Sequence, residues 1–405
     1  MRIEFNPLTE PFIRRNGPDA IIGVLDLSGL DGFSRKETER YSRQLVMPEV
    51  GPQGQRKLKS SSVLVVGAGG LGTPASVYLA AAGVGKIGLV DFDDVETSNL
   101  HRQTLYSDED IGRAKVEIAA ERLRQINPGV SIVPYKTKLD SSNAMGIIRE
   151  YDVVVDCADN FPTRYLINDV CVFLHKRDVY ASVSRSDGQA SVFGGDSGPC
   201  YRCLYPEPPP PGSVQDCAEA GVLGVLPGIM GSIQAAQTIN LLLGIGQPLV
   251  GRLLLFNAAD LTFNELRVKK RDDCPVCGSK PSIKEPIDYE WFCGLGKEPN
   301  TSRDVTPAEL KGLMDNGGVV LLDVREPFEY EICRLTGSKL IPLGELPEKI
   351  GELDRNQEVV VYCHVGTRSS AAVEFLSSQG FKKVHNLKGG IRAWAEEIDQ
   401  DIPLY

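Results

Sequence analysis

The sequence lacks any apolar run near the roughly 18 residues of a membrane-spanning helix, and its first residues lack an apolar signal core. We therefore expect neither membrane insertion nor secretion. Positive charge is also in deficit, with 44 Lys and Arg against 54 Asp and Glu and a net charge of -10. That balance argues against an extended nucleic-acid interface. These absences predict a cytoplasmic protein that binds neither nucleic acid nor membranes.

Cysteine is scarce as well, because ten residues in a chain of 405 are too few for a disulfide scaffold. Four of the ten form two Cys-x-x-Cys pairs, which in a reducing compartment indicate metal binding or catalysis. Hydrophobic residues make up 42% and charged residues 24%. These proportions allow a sizeable packed core, and the length suits two or three domains.

Changes in composition divide the chain into four parts. Residues 1–33 carry little pattern and are predicted to be an N-terminal extension, whereas residues 34–280 alternate strand and helix patterns, as in a parallel α/β domain. The stretch 281–302, rich in Pro, Gly and charge, is predicted to be a linker, although aromatic residues at 289–292 suggest that part of it docks on a domain. A second, smaller α/β domain is predicted at 303–405.

Four glycines follow the first predicted strand in the pattern G-x-G-G-x-G, directly before a helix. Glycine lets the backbone turn tightly and approach a phosphate, while the free N–H groups of the helix face the anion. Asp91 ends the next strand, where a carboxylate can bind ribose hydroxyls. This pattern predicts a nucleotide site and leaves both a dinucleotide and ATP open. The glycines are Gly67, Gly69, Gly70 and Gly72.

The residues that follow the second strand favour ATP. Arg102 and Lys115 would supply fixed cations, and Ser98 and Asn99 add polar groups beside the same pocket. Attack on an α-phosphate needs such cations, whereas hydride transfer does not. Asp159 follows a later strand, where its carboxylate could hold the magnesium ion that bridges phosphates. A nicotinamide-dependent oxidoreductase would need a hydride-transfer site, and the sequence shows none.

The run from Val63 to Lys115, together with CADNFPTR and GPCYRCLYP, resembles the ATP-binding core of MoeB and ThiF, bacterial relatives of ubiquitin-activating enzymes. The resemblance covers about residues 35–280 and implies a Rossmann-like domain that adenylates, with MgATP, the C-terminal glycine of a small ubiquitin-fold protein. It implies a homodimer in which Arg43 reaches the partner's site, and it puts Asp159 at magnesium. Around the nucleotide it puts Gly70, Asp91, Ser98, Asn99, Arg102 and Lys115.

Both Cys-x-x-Cys pairs stand beside turn residues within this region. Four thiolates form a closed tetrahedral zinc site, and a two-residue spacer lets both sulfurs of a turn face one ion. A redox role is the alternative for either pair alone. Two pairs in one domain favour structural zinc, which is also what the resemblance to MoeB-like proteins implies. The predicted ligands are Cys200, Cys203, Cys274 and Cys277.

A single cysteine, Cys217, follows a proline-rich loop. It can be an idle thiol, as free cysteines often are. The resemblance instead puts it on a crossover loop above the adenylate, where a cysteine can attack the adenylate or bond to the substrate. We carry both interpretations, with Cys217 as a candidate catalytic residue.

Cys363 begins the segment CHVGTR between a predicted strand and a predicted helix. A thiol there faces backbone N–H groups and a helix N-terminus, which stabilise an anionic sulfur, and Arg368 adds a cation. Phosphatase loops hold one more residue between cysteine and arginine, so this loop suits a sulfur atom better than a phosphate. With LLDVREPFEY and LKGGIRAWAEE the segment resembles a rhodanese domain. That resemblance implies a persulfide on the cysteine and a supporting role for Asp323 and Arg325.

Each half of the chain supplies what the other lacks, since an acyl-adenylate is an electrophile without sulfur and a persulfide is a sulfur donor without an activated target. The domain order resembles the MoeZ type of fused adenylyltransferase–sulfurtransferase. We predict adenylation of a ubiquitin-fold sulfur carrier, followed by transfer of sulfur from Cys363 to give a thiocarboxylate. A cysteine-desulfurase-type protein or thiosulfate would supply the sulfur. The alternative is a non-catalytic sulfur-sensing or scaffolding protein. The sequence does not identify the carrier, so carriers for molybdenum cofactor, thiamine, cysteine or tRNA thiolation are all compatible with it.

Overall fold

The structure of the protein is a computed structural model. The described residues are 32–195, 197–209, 221–294 and 304–403. Of the predicted extension at 1–33, only residues 32 and 33 are among the described residues. Cys217 lies outside the described residues. The chain divides into two compact units, Met1–Lys57 and Leu58–Tyr405.

Helix α1 (Arg35–Leu45) is rich in charged residues and lies at the start of the predicted α/β region 34–280. It begins with a capping box, in which the Ser34 hydroxyl accepts the N–H of Glu37 at 3.2 Å and the Glu37 carboxylate accepts the N–H of Ser34 at 2.9 Å. Arg43 stands in its last turn, where a cation complements the helix dipole. Helix α2 (Gly51–Ser60) follows.

The larger domain is built on an eight-stranded sheet in the order β3-β2-β1-β4-β5-β6-β7-β8. The first five strands of that order are parallel, and each strand from β6 onward is antiparallel to the one before it. The central parallel strands are apolar and buried on both faces, as such strands must be when helices cover both sides. The strands are β1 (Ser62–Val66), β2 (Lys86–Asp91), β3 (Ser131–Lys136), β4 (Val153–Asp156), β5 (Arg177–Ser184), β6 (Asp187–Gly194), β7 (Arg252–Asn257) and β8 (Thr262–Arg267).

Helices cover both faces of this sheet and form two apolar layers. One layer contains Leu79, Ile118 and Met230, and the other contains Ile148 and Tyr165. The predicted Rossmann-like α/β arrangement is confirmed. The helices are α3 (Gly72–Ala82), α4 (Lys115–Ile126), α5 (Ala144–Arg149), α6 (Phe161–Phe173), α7 (Tyr201–Leu204), α8 (Val225–Leu243) and α9 (Tyr289–Phe292).

The strand order reverses at β1, which pairs with β2 on one side and with β4 on the other. Crossovers therefore leave in opposite directions, and a crevice opens at the carboxyl ends of the strands between them. The segments that follow β1, β2 and β4 meet at this edge. These are the segments in which the sequence analysis found the glycine run, Asp91 and Asp159.

Part of the predicted linker at 281–302 packs on the larger domain. The Tyr289 hydroxyl donates to Asp169 Oδ2 at 3.0 Å, and the Arg202 guanidinium lies 4.3 Å from the centre of the Phe292 ring. Asp169 and Arg202 form a buried, two-bond ion pair with N–O distances of 2.8 Å. This pair therefore holds both α6 and the segment before the second domain.

The smaller domain has a five-stranded parallel sheet in the order β11-β10-β12-β13-β9, with apolar clusters on both faces. Its strands are β9 (Asp304–Val305), β10 (Val319–Asp323), β11 (Lys339–Leu340), β12 (Glu358–Tyr362) and β13 (Val384–Leu387). Its helices are α10 (Pro307–Asn316), α11 (Pro327–Ile332), α12 (Leu346–Lys349), α13 (Thr367–Ser378) and α14 (Gly390–Glu397). Across the described ranges, no helix combines the length and apolar character that crossing a membrane requires.

Candidate active sites

A cavity opens at the carboxyl ends of β1, β2 and β4, where the strand order reverses. Most of the residues predicted to bind nucleotide lie on its wall, although the sequence separates them widely. The wall contains Gly67, Gly69, Gly70, Asp91, Arg102, Lys115 and Asp159.

Close backbone packing explains why glycine is needed in the loop after β1. Gly67 has φ +95°, and a Cβ there would lie 2.6 Å from the carbonyl oxygen of Cys157. A Cβ at Gly70 would lie 3.0 Å from Pro227. Gly72 is the first residue of α3, and a Cβ there would overlap the carbonyl oxygen of Gly67, so the turn itself requires glycine at this position.

Asp91 ties the glycine loop to the end of β2. Its Oδ2 accepts the N–H of Ala68 at 2.7 Å, and its Oδ1 accepts the N–H of Asp93 at 2.8 Å. Burial raises the pKa of the Asp91 carboxyl, while Lys115 and the two N–H groups act against that rise. Each oxygen keeps a lone pair for a further donor, so the carboxylate can accept two ribose hydroxyls.

The two predicted cations are held by neighbouring groups. Lys115 is nearly buried, and its Nζ lies 2.9 Å from Asp93 Oδ2. Arg102 Nη1 donates to the Ser98 carbonyl oxygen at 2.7 Å. Ser98 and the buried Asn99 bond to each other in the turn that carries Arg102, and neither is among the residues that line the described cavity. The structure thus places Ser98 and Asn99 next to a wall residue.

Several wall residues were not singled out from the sequence. Gln103 is buried, and its Oε1 has no hydrogen-bond partner among the described residues. Arg164 donates twice to the Ala158 carbonyl oxygen, at 3.1 and 2.8 Å, and fixes the turn after β4. Gln103 directly follows the predicted cation Arg102 in sequence, whereas nothing near Lys138 in sequence marks it. The additional wall residues include Phe92, Asp93, Gln103, Lys138, Asn160 and Arg164.

Asp159 stands on the turn between β4 and α6. Its Oδ1 accepts the side-chain N–H of Asn160 at 3.3 Å, and Asn160 Oδ1 caps α6 by accepting the N–H of Thr163 at 3.0 Å. The cap fixes where Asp159 enters the cavity. Arg43 is exposed on α1, and its predicted place at the site of a dimer partner stays a prediction.

The four predicted zinc ligands converge in one cluster. Cys200 Sγ lies 3.9 Å from Cys203 Sγ and 3.5 Å from Cys274 Sγ, and Cys203 Sγ lies 3.4 Å from Cys277 Sγ. All four sulfurs lie within 4.8 Å of one another. A tetrahedron with ~2.3 Å zinc–sulfur bonds has an edge of about 3.8 Å. The cluster can therefore hold a zinc ion, and its convergence favours one metal site over two separate redox pairs.

Cys363 lies at the end of β12 and is fully buried. Its Sγ accepts the N–H of Gly366 at 3.1 Å and the hydroxyl of Ser369 at 3.4 Å. Gly366 has φ +99°. The chain at Gly390 passes so close that a Cβ there would lie 2.5 Å from the Cys363 carbonyl oxygen, and the N–H of Ile391 donates to that oxygen at 2.9 Å. The loop is thus closed by backbone donors and by glycine.

Asp323 and Arg325 form a fully buried ion pair on the segment after β10. The Nη2–Oδ2 distance is 2.6 Å, and Nη2 also donates to the Cys333 carbonyl oxygen at 2.8 Å. The pair therefore fastens both ends of the segment that carries α11. It supports the cysteine loop through α11, whose Glu329 binds Arg368.

The ThiF family model matches residues 41–276, and a rhodanese-like domain model matches residues 306–397. The chain is a member of the ThiF family. This confirms the predicted resemblance, since a ThiF domain precedes a rhodanese-like domain in one chain.

The similar proteins carry both activities in their names. "Adenylyltransferase and sulfurtransferase MOCS3-1" of Drosophila pseudoobscura pseudoobscura is 44% identical over 392 residues, covering 92% of this chain and 86% of that protein. "Probable adenylyltransferase/sulfurtransferase MoeZ" of Mycobacterium tuberculosis (strain ATCC 25618 / H37Rv) is 42% identical over 384 residues, covering 92% and 96%. The structure of E. coli MccB with ATP has a TM-score of 0.54 at 23% identity, over 60% of this chain and 75% of that one, and shares the fold of the ThiF domain.

Replacement of Cys274 by Ser should remove a zinc ligand and release the ion. We expect the zinc content to fall from one ion per chain to near zero, and the midpoint of thermal unfolding to drop by on the order of 10 °C. Elemental analysis and calorimetry measure both. Cys293→Ser, a change at a buried cysteine outside the cluster, should keep full zinc content. Equal zinc loss in both variants would contradict the site.

Replacement of Asp91 by Ala should weaken ATP binding roughly tenfold to a hundredfold, because hydrogen bonds to a charged group are lost and the glycine loop loses its tether. Isothermal titration calorimetry measures the change. Asp94→Ala removes a neighbouring exposed carboxylate that pairs with Lys136 and should bind ATP as the parent protein does. Unchanged affinity of the Asp91 variant would show that the nucleotide binds elsewhere.

Proposed function

We propose that this ThiF-family chain activates the C-terminal carboxylate of a ubiquitin-fold sulfur carrier as an acyl-adenylate and then gives it sulfur carried as a persulfide on Cys363. The observation that carries the proposal is the presence on one chain of a nucleotide-type cavity and a buried cysteine held by backbone donors. Relatives named for both activities match over 92% of the chain. Their names favour turnover over a non-catalytic sulfur-sensing role.

Adenylation would take place at the strand-order reversal. The terminal glycine carboxylate of the carrier attacks the α-phosphorus of ATP, and pyrophosphate leaves with the electrons of the broken P–O bond. Negative charge grows on the phosphoryl oxygens, and Arg102 and Lys115 stabilise it from fixed positions. Asp91 holds the ribose and the glycine loop together, while the free N–H groups at the start of α3 face the phosphates.

Carboxylates and cations share the wall of this cavity, so a polyphosphate meets Asp91, Asp93 and Asp159 as well as Arg102 and Lys115. A divalent cation would offset that repulsion. We propose that Asp159 contributes a ligand to Mg²⁺, which supplies positive charge to the phosphates when it is bound. The described part of the cavity fits such an ion through its oxygen donors.

Sulfur transfer would follow at the adenylated carbonyl. The terminal sulfur of the Cys363 persulfide attacks that carbon, AMP leaves, and an acyl disulfide joins the carrier to Cys363. A thiolate then attacks the Cys363 sulfur, forms a new disulfide with it and releases the thiocarboxylate. We propose Cys217 or an external thiol for this last attack. We further propose that the chain forms a homodimer in which Arg43 reaches the partner's site. The sulfur on Cys363 would come from a cysteine-desulfurase-type protein or from thiosulfate.

The two steps can be separated by one substitution. Cys363→Ala should leave carrier-dependent ATP–pyrophosphate exchange within about twofold of the parent rate, since the thiol plays no part in adenylation, and should abolish thiocarboxylate formation. Exchange of labelled pyrophosphate and intact-mass spectrometry of the carrier, which gains sulfur for oxygen, measure the two outcomes. Candidate carriers from each pathway are tested in parallel. Loss of both activities would refute the division of labour.

Replacement of Asp159 by Asn should raise the magnesium concentration that half-saturates pyrophosphate exchange by about tenfold, because one anionic ligand becomes neutral. Titration of Mg²⁺ at fixed ATP measures this. Asp152→Asn, a change at an exposed carboxylate that binds Ser62 at the other end of the strands, is the control. An unchanged magnesium requirement in the Asp159 variant would remove Asp159 from the metal site.

A further inference from the structure

Arg368 occupies the last position of the cysteine loop, where the sequence predicts a cation for the sulfur site. Its guanidinium points instead to Glu329 on α11, with Nη1 donating to Oε2 at 2.7 Å and Nη2 donating to Oε1 at 2.8 Å. Both side chains are buried, at 3% and 0% exposure. Two parallel charge-assisted bonds in a buried site form a strong and directional pair.

Glu329 is itself fixed by the local fold. Its Oε2 also accepts the N–H of Glu326 at 2.9 Å, as the second half of the capping box of α11. The buried Asp323–Arg325 pair fastens the segment that carries this helix. The position of the Glu329 carboxylate is therefore set by contacts on α11 and with Arg368.

The other titratable side chain of the loop adds little charge. Burial lowers the pKa of His364, and Arg325, Arg368 and Arg392 act in the same direction, whereas Glu329 opposes them. These effects favour the neutral imidazole of His364. Arg392 on α14 is half-exposed and pairs with Glu396 at 3.0 Å.

The anion site at Cys363 thus relies on dipoles more than on net charge. Its sulfur accepts a backbone N–H and a hydroxyl, and the loop's arginine is neutralised 2.7 Å away by a carboxylate. A site of this kind stabilises one negative charge on sulfur. It provides little compensation for a dianion that must approach a thiolate.

We propose that Glu329 sets the sulfur-donor specificity of Cys363 by neutralising Arg368, so that a persulfide is accepted and a doubly charged sulfur oxyanion is disfavoured. This inference rests on the proposed sulfurtransferase function. Of the two donor classes proposed there, it favours a persulfide over thiosulfate. Glu329 acts through Arg368 and is a positioning residue.

The two donor reactions differ in the charge they bring. With a persulfide, the Cys363 thiolate attacks the terminal sulfur of R–S–SH, the S–S bond breaks, and RS⁻ leaves, giving Cys363–S–SH. With thiosulfate, the thiolate attacks the outer sulfur, the S–S bond breaks, and sulfite leaves with the bonding electrons. Only the second reaction brings a dianion to a thiolate, so only that reaction should respond strongly to a change in the local charge.

The test compares Glu329→Gln with the parent in the full-length protein. The glutamine keeps the size and one acceptor, while the negative charge that faces the Arg368 guanidinium is lost. We expect KM for thiosulfate to fall about tenfold, because removal of one negative charge near the binding site favours a dianion. KM for thiosulfate should also depend more steeply on salt concentration than in the parent. KM for cysteine persulfide should change less than about twofold. Both are measured by sulfur loading of Cys363, detected by mass spectrometry.

Two controls separate this effect from misfolding. The double variant Glu329→Gln/Arg368→Gln removes both charges and should return KM for thiosulfate to the parent value, as a charge interaction requires. Glu345→Gln breaks an exposed pair with Lys349 in the same domain and should leave both donors unaffected. If Glu329→Gln lowers kcat equally for both donors with no change in their KM ratio, the role of Glu329 is structural and the proposal fails.

Failure of this inference can be told apart from failure of the proposed function. A parent protein that loads sulfur on Cys363 and forms the thiocarboxylate, but whose Glu329→Gln variant shows an unchanged donor preference, retains the function and loses the inference. A parent protein that loads no sulfur on Cys363 from either donor refutes both.

Discussion

Both candidate sites depend on one constraint, the sharp turn by which a parallel strand passes into a helix and leaves backbone N–H groups that the helix cannot use. In the ThiF domain this turn follows β1 and is closed by Gly67 against the carbonyl of Cys157. In the rhodanese-like domain it follows β12 and is closed by Gly366, whose N–H points at the Cys363 sulfur. The two sites differ in their side chains, but each presents backbone donors to an anion at the edge of a parallel sheet.

Side-chain charges around these turns are largely compensated within the protein. Lys115 pairs with Asp93, Arg368 with Glu329, and Arg325 with Asp323. A buried charge without such a partner would be costly to desolvate. These pairs hold the charged side chains in fixed positions before a ligand binds. Charges that are already in position can stabilise a transition state without first having to move.

The cysteine cluster is joined to the nucleotide cavity through helix α6. Arg202 stands between two of the cluster's cysteines and pairs with Asp169 on α6, whose first turn is capped by Asn160 beside Asp159. Tyr289 donates to the same Asp169 carboxylate. A structural metal would therefore stiffen the helix that carries a cavity residue, as well as the segment that leads to the second domain. The helix and the cluster share one buried ion pair, so their positions are set together.

Much of the architecture could be predicted from local pattern. Apolar strands, the glycine run before α3 and the cysteine spacings are short-range features, and each has a physical cause within a few residues along the chain. Asp91 and Asp159 were marked by strand ends, since parallel strands end at a common edge. The side chain of Asn99 bonds within the turn that carries Arg102, a contact that residue type alone does not show; its predicted place at the nucleotide stays a prediction.

The amino-acid pattern alone was enough to predict the main elements and the residue types that carry chemistry: a phosphate-type glycine loop, two Cys-x-x-Cys pairs and a cysteine loop that suits sulfur better than a phosphate. The three-dimensional fold was needed to show which of these residues meet, including the four thiols. Gln103 and Lys138 share the cavity wall because crossovers of the sheet bring distant segments together. The arginine at the end of the cysteine loop pairs with Glu329, 39 residues away, and the sequence could not show this because a charge is neutralised by its neighbours in space.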